Sequence, residues 1–258
     1  NTTTIMEPSN QELVNREPAV AGQFYPRNPA ELRSELGKLF ASVSVKDQPE
    51  NTVAIISPHA GYVYSGHTAA ASFMQLDPDR KYDNVFVIGS SHRVAFDGAA
   101  IYTLGNFNTP LGMVPVNLDL ARDLVKHNSC FTDRTDAQIS EHSLEVQLPF
   151  LQFRLKNDFR IIPIVLGTQR ASTCRRIAEA LGPYFDSSNL FVISTDFSHY
   201  PEYNDASQAD HRTAEAILTN DPDLLLKALE KNDLDAINNL QTSLCGWTSV
   251  LTLMYLTE

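Results

Sequence analysis

Three apolar runs in this chain each stop and are followed within a few residues by a histidine. "VAIISPHAGYVYSGHTAA" passes from Val53–Ile56 to His59, "DNVFVIGSSHR" from Val85–Ile88 through Gly89 to His92, and "NLFVISTDFSHYP" from Leu190–Ile193 to Asp196 and His199. A lone histidine at a core edge is commonly a satisfied structural residue; three, each past the end of such a run, point to a site. Two further segments carry reactive types. "ISEHSLEVQLPFLQFRL" presents Glu141, His142 and Glu145, with His142 and Glu145 three apart and therefore on one helical face. "LCGWTSVLTLMYL" carries Cys245 just before an apolar segment expected to be a helix, and a cysteine at a helix N-terminus is favoured as thiolate by the helix dipole.

Imidazole, carboxylate and thiolate together are ligands for a transition metal rather than for calcium or magnesium. Two histidines and one anionic residue, with open positions left over, build both oxygen-activating non-haem iron sites and water-activating zinc sites. Spacing does not separate the two. Asp196 and His199 form a carboxylate–imidazole pair suited to general base work beside an open position. Glu141 and His142 form a second such pair, which reads equally well as a solvated, self-paired helix start. A metal-free nucleophilic pair, Cys245 attacking with His199 as base, also fits these residue types.

These side chains need strands to carry them. The three runs are short, β-branched and aromatic, which predicts interior strands; "FRIIPIVLG" is a fourth. Strands buried on both faces belong to a largely parallel sheet covered by helices, whose ligand crevice lies beyond the strand carboxyl ends. Helices are expected over "NPAELRSELGKLFASV" after an Asn28-Pro29 start, from near Ser65 through "SGHTAAASFMQL", over "LDLARDLVKHN", over "ISEHSLEVQLPFLQFRL" with Ser140 as N-cap, over "STCRRIAEALGPYF" to Gly182, over "ASQADHRTAEAILTN" and "DPDLLLKALEKND", and from Gly246 into the last apolar segment. The Gly- and Pro-punctuated stretch after Ala99 predicts a hairpin. His67, His127 and His211 are read as structural or solvated.

A chain of 258 residues with 43% hydrophobic content and no linker-like segment is read as one domain, residues 17–258, after a polar tail at 1–16. The net charge of -11, without a Lys/Arg cluster, argues against nucleic acid or an anionic membrane as partner. No apolar run approaches the roughly 18 residues of a membrane span. Three cysteines without CxxC spacing argue for a reducing compartment, so a cytoplasmic location is expected. The start at Asn1 also fits a chain that follows a cleaved signal peptide, which would make the location extracytoplasmic.

"REPAVAGQFYP", "SPHAGYVYSG", "IGSSH", "EHSLEVQLPFL", "STDFSHY" and "CGW", in this order from about Arg16 onward, closely resemble the Memo family, whose bacterial and archaeal members are often called protein B of the AmmeMemoRadiSam system. The family is similar in fold to class III extradiol ring-cleaving dioxygenases. That resemblance implies an α/β domain with a mixed, mostly parallel central sheet between helix layers. It implies metal ligands at His59, His92 and Cys245, with a thiolate where the dioxygenases use a carboxylate, and an acid/base role for His199 beside Asp196. A softer thiolate donor favours copper or zinc as well as iron. The expected function is therefore an iron- or copper-binding, dioxygenase-like oxidoreductase acting on a small molecule or peptide in the crevice. The alternatives are a peptide-binding scaffold, from the family's link to phosphorylated peptides in animals, and a zinc-dependent hydrolase. Family members usually continue past the position of Glu258, so one or more further strands are expected after it.

Overall fold

The computed structural model describes residues 12–44, 52–197, 222–223, 226–227 and 244–258, with backbone only for Phe197, Leu244 and Cys245. His199, His211 and nearly all of the two helices expected between residues 206 and 233 lie outside the described residues, as does the first part of the expected tail.

The core is a six-stranded sheet in the order β1 (Ala54–Ser57), β8 (Asn189–Ser194), β2 (Asn84–Ser90), β7 (Ile161–Leu166), β3 (Ala99–Ile101), β6 (Phe131–Thr132). All neighbours are parallel except β3 and β7, which run antiparallel. β2, β7 and β8 are buried along nearly their whole length, because helices cover both faces and leave no side for polar residues. A hairpin, β4 (Phe107–Thr109) with β5 (Gly112–Val114), stands apart from the sheet.

Successive strand residues point to opposite faces, and the end of β2 shows what covers each. Gly89 faces α5 (His142–Glu145), so closely that an added Cβ would lie 2.6 Å from Ser143 Oγ. Ser90 Oγ meets the hydroxyls of Thr248 and Ser249 in α8 (Trp247–Thr257) at 2.6 and 2.9 Å. α7 (Ala171–Leu181) packs beside α8, while α1 (Pro29–Ala41), α2 (Tyr62–Phe73) and α6 (Leu148–Arg154) pack together with α5 on the Gly89 side. α1 starts as expected: the Asn28 side chain accepts from Ala30 and Glu31 N–H, and Leu32, Leu36 and Phe40 bury. α3 (Leu118–His127) also runs as expected.

Two helix expectations are corrected. α2 begins at Tyr62 rather than near Ser65, with Gly61 at its N-cap. The single long helix expected from Ser140 is three pieces: α4 (Asp136–Ile139), α5 and α6. Ser140 closes α4, and Glu141 is the N-cap of α5, accepting from Ser143 N–H at 3.2 Å. The break lets the chain drop the start of α5 onto the strand ends, where one straight helix would carry it past. No helix among the described residues is long and apolar enough to cross a membrane.

Candidate metal centre

β1, β8 and β2 are adjacent and parallel, so residues placed just past each carboxyl end converge. His59, Asp196 and His92 each follow the end of their strand by two residues. Asp196 Oδ1 accepts from the His59 backbone N–H at 2.8 Å, and its Oδ2 lies 3.7 Å from His59 Nε2. The His59 and His92 ring centroids are 4.8 Å apart. His142, delivered from above by α5, completes a triangle at 4.5 Å from His92 and 5.5 Å from His59. One ligand nitrogen from each ring lies within 4.8 Å of the others.

The rings are held from behind. His92 Nδ1 is 2.7 Å from Glu141 Oε1, and Glu141 Oε2 accepts from the His92 backbone N–H, also at 2.7 Å. Burial pushes the Glu141 carboxyl up, but the hydrogen bonds and charge of His92 bring it below the ordinary range. It is an acceptor, so His92 Nδ1 carries the proton and its Nε2 the lone pair. His59 Nδ1 rests on Ser194 Oγ at 3.0 Å. The His142 ring packs on Phe24 at 4.6 Å; burial, and then the charge of His92, lower it to about 4. The three rings lie close together, His142 is held neutral at neutral pH, and His92 and His59 have oxygen partners behind them, as a metal site requires.

A buried ion pair fixes the segment that brings His142 in. Glu145 is 1% exposed and accepts from Arg16 Nη1 at 2.7 Å, Ala19 N–H at 2.6 Å, Val20 N–H at 2.9 Å and Tyr25 O–H at 2.8 Å. Arg16 also donates from Nε to Gln138 O at 2.9 Å and from Nη2 to Glu141 O at 2.8 Å. One guanidinium therefore ties the ends of α4 and the start of α5 to the stretch 16–25. The reading of Glu141, His142 and Glu145 as a solvated helix start is excluded, since Glu141 and Glu145 are buried. Arg16, placed at the end of the expected tail, is buried in this core, and Val14 N–H donates to Leu104 O.

Of the residues singled out in the sequence, His59, His92, His142, Glu141 and Asp196 come together. Cys245 reaches the same rim by its backbone: β10 (Leu244–Cys245) pairs antiparallel with β9 (Asp196–Phe197), placing Cys245 opposite Asp196. Gly246, at φ 95°, then turns the chain into α8, and an added Cβ there would lie 2.8 Å from Ser194 O. His199 lies outside the described residues. Elsewhere, His67 Nδ1 pairs with Ser42 Oγ at 2.8 Å, and His127 pairs with Asp123 on the surface. Cys130 and Cys174 are buried and free, and burial raises both thiols, Cys174 to about 11. The residues that sequence reasoning missed are Arg16, Phe24, Gln147 and Ser194; each lies in a segment quoted for the family resemblance, "REPAVAGQFYP", "EHSLEVQLPFL" or "STDFSHY", but no pattern in those segments singled it out.

Fold and site define an α/β protein with a three-histidine cluster at the carboxyl ends of adjacent parallel strands. The chain belongs to the Memo family: the family model for Memo-like protein matches residues 16–258. It is 35% identical over 247 residues to a MEMO1 family protein of Thermoplasma acidophilum, covering 95% of this chain and 87% of that one. It is 32% identical over 243 residues to a MEMO1 family protein of Methanopyrus kandleri, covering 90% and 83%. A solved structure of an uncharacterized protein from Escherichia coli K12 superposes with a TM-score of 0.45 at 15% identity, covering 71% of this chain and 77% of that one.

Proposed function

We propose that the crevice is a mononuclear iron or copper centre of an oxidoreductase that acts, in a dioxygenase-like manner, on a small molecule or peptide. The observation that carries this reading is the triangle of imidazoles, whose ligand nitrogens lie within 4.8 Å of one another. In it His59 and His92 are ligands, as the family resemblance implies, and His142, expected among the acid/base groups, is a third imidazole donor. Cys245 is the anionic donor, and the pairing of its backbone with Asp196 supports this assignment. When bound, the metal supplies Lewis acidity and one-electron redox chemistry next to the crevice.

The rest is done by the chain's own groups. Glu141 holds the His92 proton on Nδ1 and so keeps Nε2 directed at the centre. Asp196 anchors the His59 backbone and presents its second carboxylate oxygen to the crevice, where His199, three residues on, is the proposed proton carrier for substrate. Two cysteines kept as free, buried thiols suit a reducing, cytoplasmic setting.

Protein purified without added metal is analysed for bound metals, then loaded anaerobically with ferrous iron and assayed for oxygen consumption. The reading requires about one metal per chain, and oxygen uptake that is lost in His199→Ala while the metal stays. Loss of metal in that variant would make His199 a ligand instead.

One observation favours a peptide-binding module as the second reading. Val63 and Tyr64, in the first turn of α2 and four and five residues after His59, are 89% and 88% exposed, more than a buried small-molecule site requires.

A further inference from the structure

We propose that Ser194, itself held by Gln147, is a positioning residue that fixes the ring proton of His59 on Nδ1 and so makes Nε2 its lone-pair nitrogen. The consequence for metal affinity rests on the metal reading above; the protonation itself does not.

The assignment follows from counting protons in a sealed network. His59, Gln147 and Ser194 are no more than 1% exposed, so bulk water does not supply alternative partners. Ser194 Oγ has one proton and two lone pairs. It lies 2.6 Å from Ser143 O, a carbonyl that can only accept, so the proton goes there. The Gln147 side chain approaches the same oxygen at 3.0 Å. Its orientation is decided by two backbone carbonyls, Pro58 O at 3.0 Å and Ser57 O at 3.3 Å, which require the amide nitrogen rather than the oxygen to face them. The amide nitrogen has two protons, and Ser57 O already accepts from Thr195 N–H at 3.0 Å, so one goes to the carbonyl side at Pro58 O and the other to Ser194, where it fills one lone pair. The remaining lone pair faces His59 Nδ1 at 3.0 Å. A lone pair on that nitrogen would meet a lone pair on oxygen, whereas a proton there completes the fourth position around Oγ.

A further detail supports a network organised around this proton. Gln147 Oε1 is buried without a hydrogen-bond partner, and leaving a buried acceptor unsatisfied is costly. Turning the amide over would set that oxygen against the carbonyls of Ser57 and Pro58 and remove the donor from Ser194. The fold keeps the N–H on Ser194 and leaves the oxygen unmatched. His92 has its tautomer set by a carboxylate, one of the usual partners of metal-binding histidines; His59 has the same tautomer set by a neutral serine that is itself oriented by an amide and a carbonyl.

Long-range proton–nitrogen correlation spectra of the metal-free protein, made with isotope-labelled histidine at pH 8, separate a protonated from an unprotonated ring nitrogen. The His59 signals are those missing from His59→Asn. Wild-type protein should show His59 protonated at Nδ1 alone. Ser194→Ala should show both tautomers in exchange, and Gln147→Met should move in the same direction less far. Zinc(II), titrated against a competing chelator, should bind Ser194→Ala about 10–100-fold more weakly than wild type. A wild-type His59 carrying its proton on Nε2 overturns the proposal without any variant. So does a Ser194→Ala protein that folds and keeps the Nδ1–H form alone. Wild-type protein that takes up no zinc contradicts the metal reading, and the tautomer spectra still decide on Ser194.

Discussion

Replacing Arg16 by Met should unfold the support of the site before it touches the site itself. The guanidinium makes four hydrogen bonds, to Glu145 Oε1 and to the carbonyls of Gln138, Glu141 and Glu17, with both Arg16 and Glu145 nearly inaccessible to water. Removing one partner of a buried ion pair costs about 3–5 kcal/mol, because the other charge stays behind. Glu145 keeps three donors from Ala19, Val20 and Tyr25, which places the expected loss near the lower end, about 3 kcal/mol. At about 2–4 °C per kcal/mol for a chain of this size, Tm should fall by about 6–12 °C. Glu145→Gln should destabilise as well, and the double variant should lose less than the sum of the two, a coupling of about 1–3 kcal/mol. Thermal and urea unfolding followed by circular dichroism give these values. Because Arg16 also holds the carbonyls at the end of α4 and the start of α5, Arg16→Met should weaken metal binding through His142. An Arg16→Met protein with unchanged Tm, or strict additivity in the double variant, would refute the reasoning.

Further outcomes are expected. Glu141→Gln should lower metal affinity about 10–100-fold with little change in fold, since it weakens the acceptor behind His92; chelator competition measures it. His142 falls from its ordinary value of 6.5 to about 4 in the folded protein. Between those values the unfolded chain takes up a proton that the native state refuses. Stability of the metal-free protein should therefore be level above pH 6.5 and decline down to pH 4, by up to about 3 kcal/mol. His142→Phe should flatten that part of the urea-midpoint profile. Gly246→Ala places a Cβ at positive φ and against Ser194 O, and should cost about 1–2 kcal/mol or more, visible as a lower urea midpoint.

The strands were legible because each interior run is apolar throughout, and only a sheet covered on both faces makes such runs. His59, His92 and Asp196 were legible as strand-end residues for the same reason. What no local pattern carries is that β8 lies between β1 and β2, the arrangement that brings those three residues side by side. The placement of His142 was hidden by helical periodicity, which continues across Ser140 to Arg154 although the backbone breaks on either side of α5. Arg16 resembled tail because its partners, Gln138, Glu141 and Glu145, are more than a hundred positions away. Ser194 closes an apolar run as any strand-end serine would, and its part in orienting His59 depends on a contact 135 positions apart in sequence.

The central claim is that one metal sits among His59, His92 and His142 with Cys245 as anionic donor. Crystals of the protein loaded anaerobically with ferrous iron, measured on both sides of the iron absorption edge, test it most directly. The account predicts one anomalous peak per chain, within about 2.0–2.4 Å of His59 Nε2, His92 Nε2 and the Cys245 sulfur and close to His142. A peak at other residues, or none at full iron loading, would contradict it.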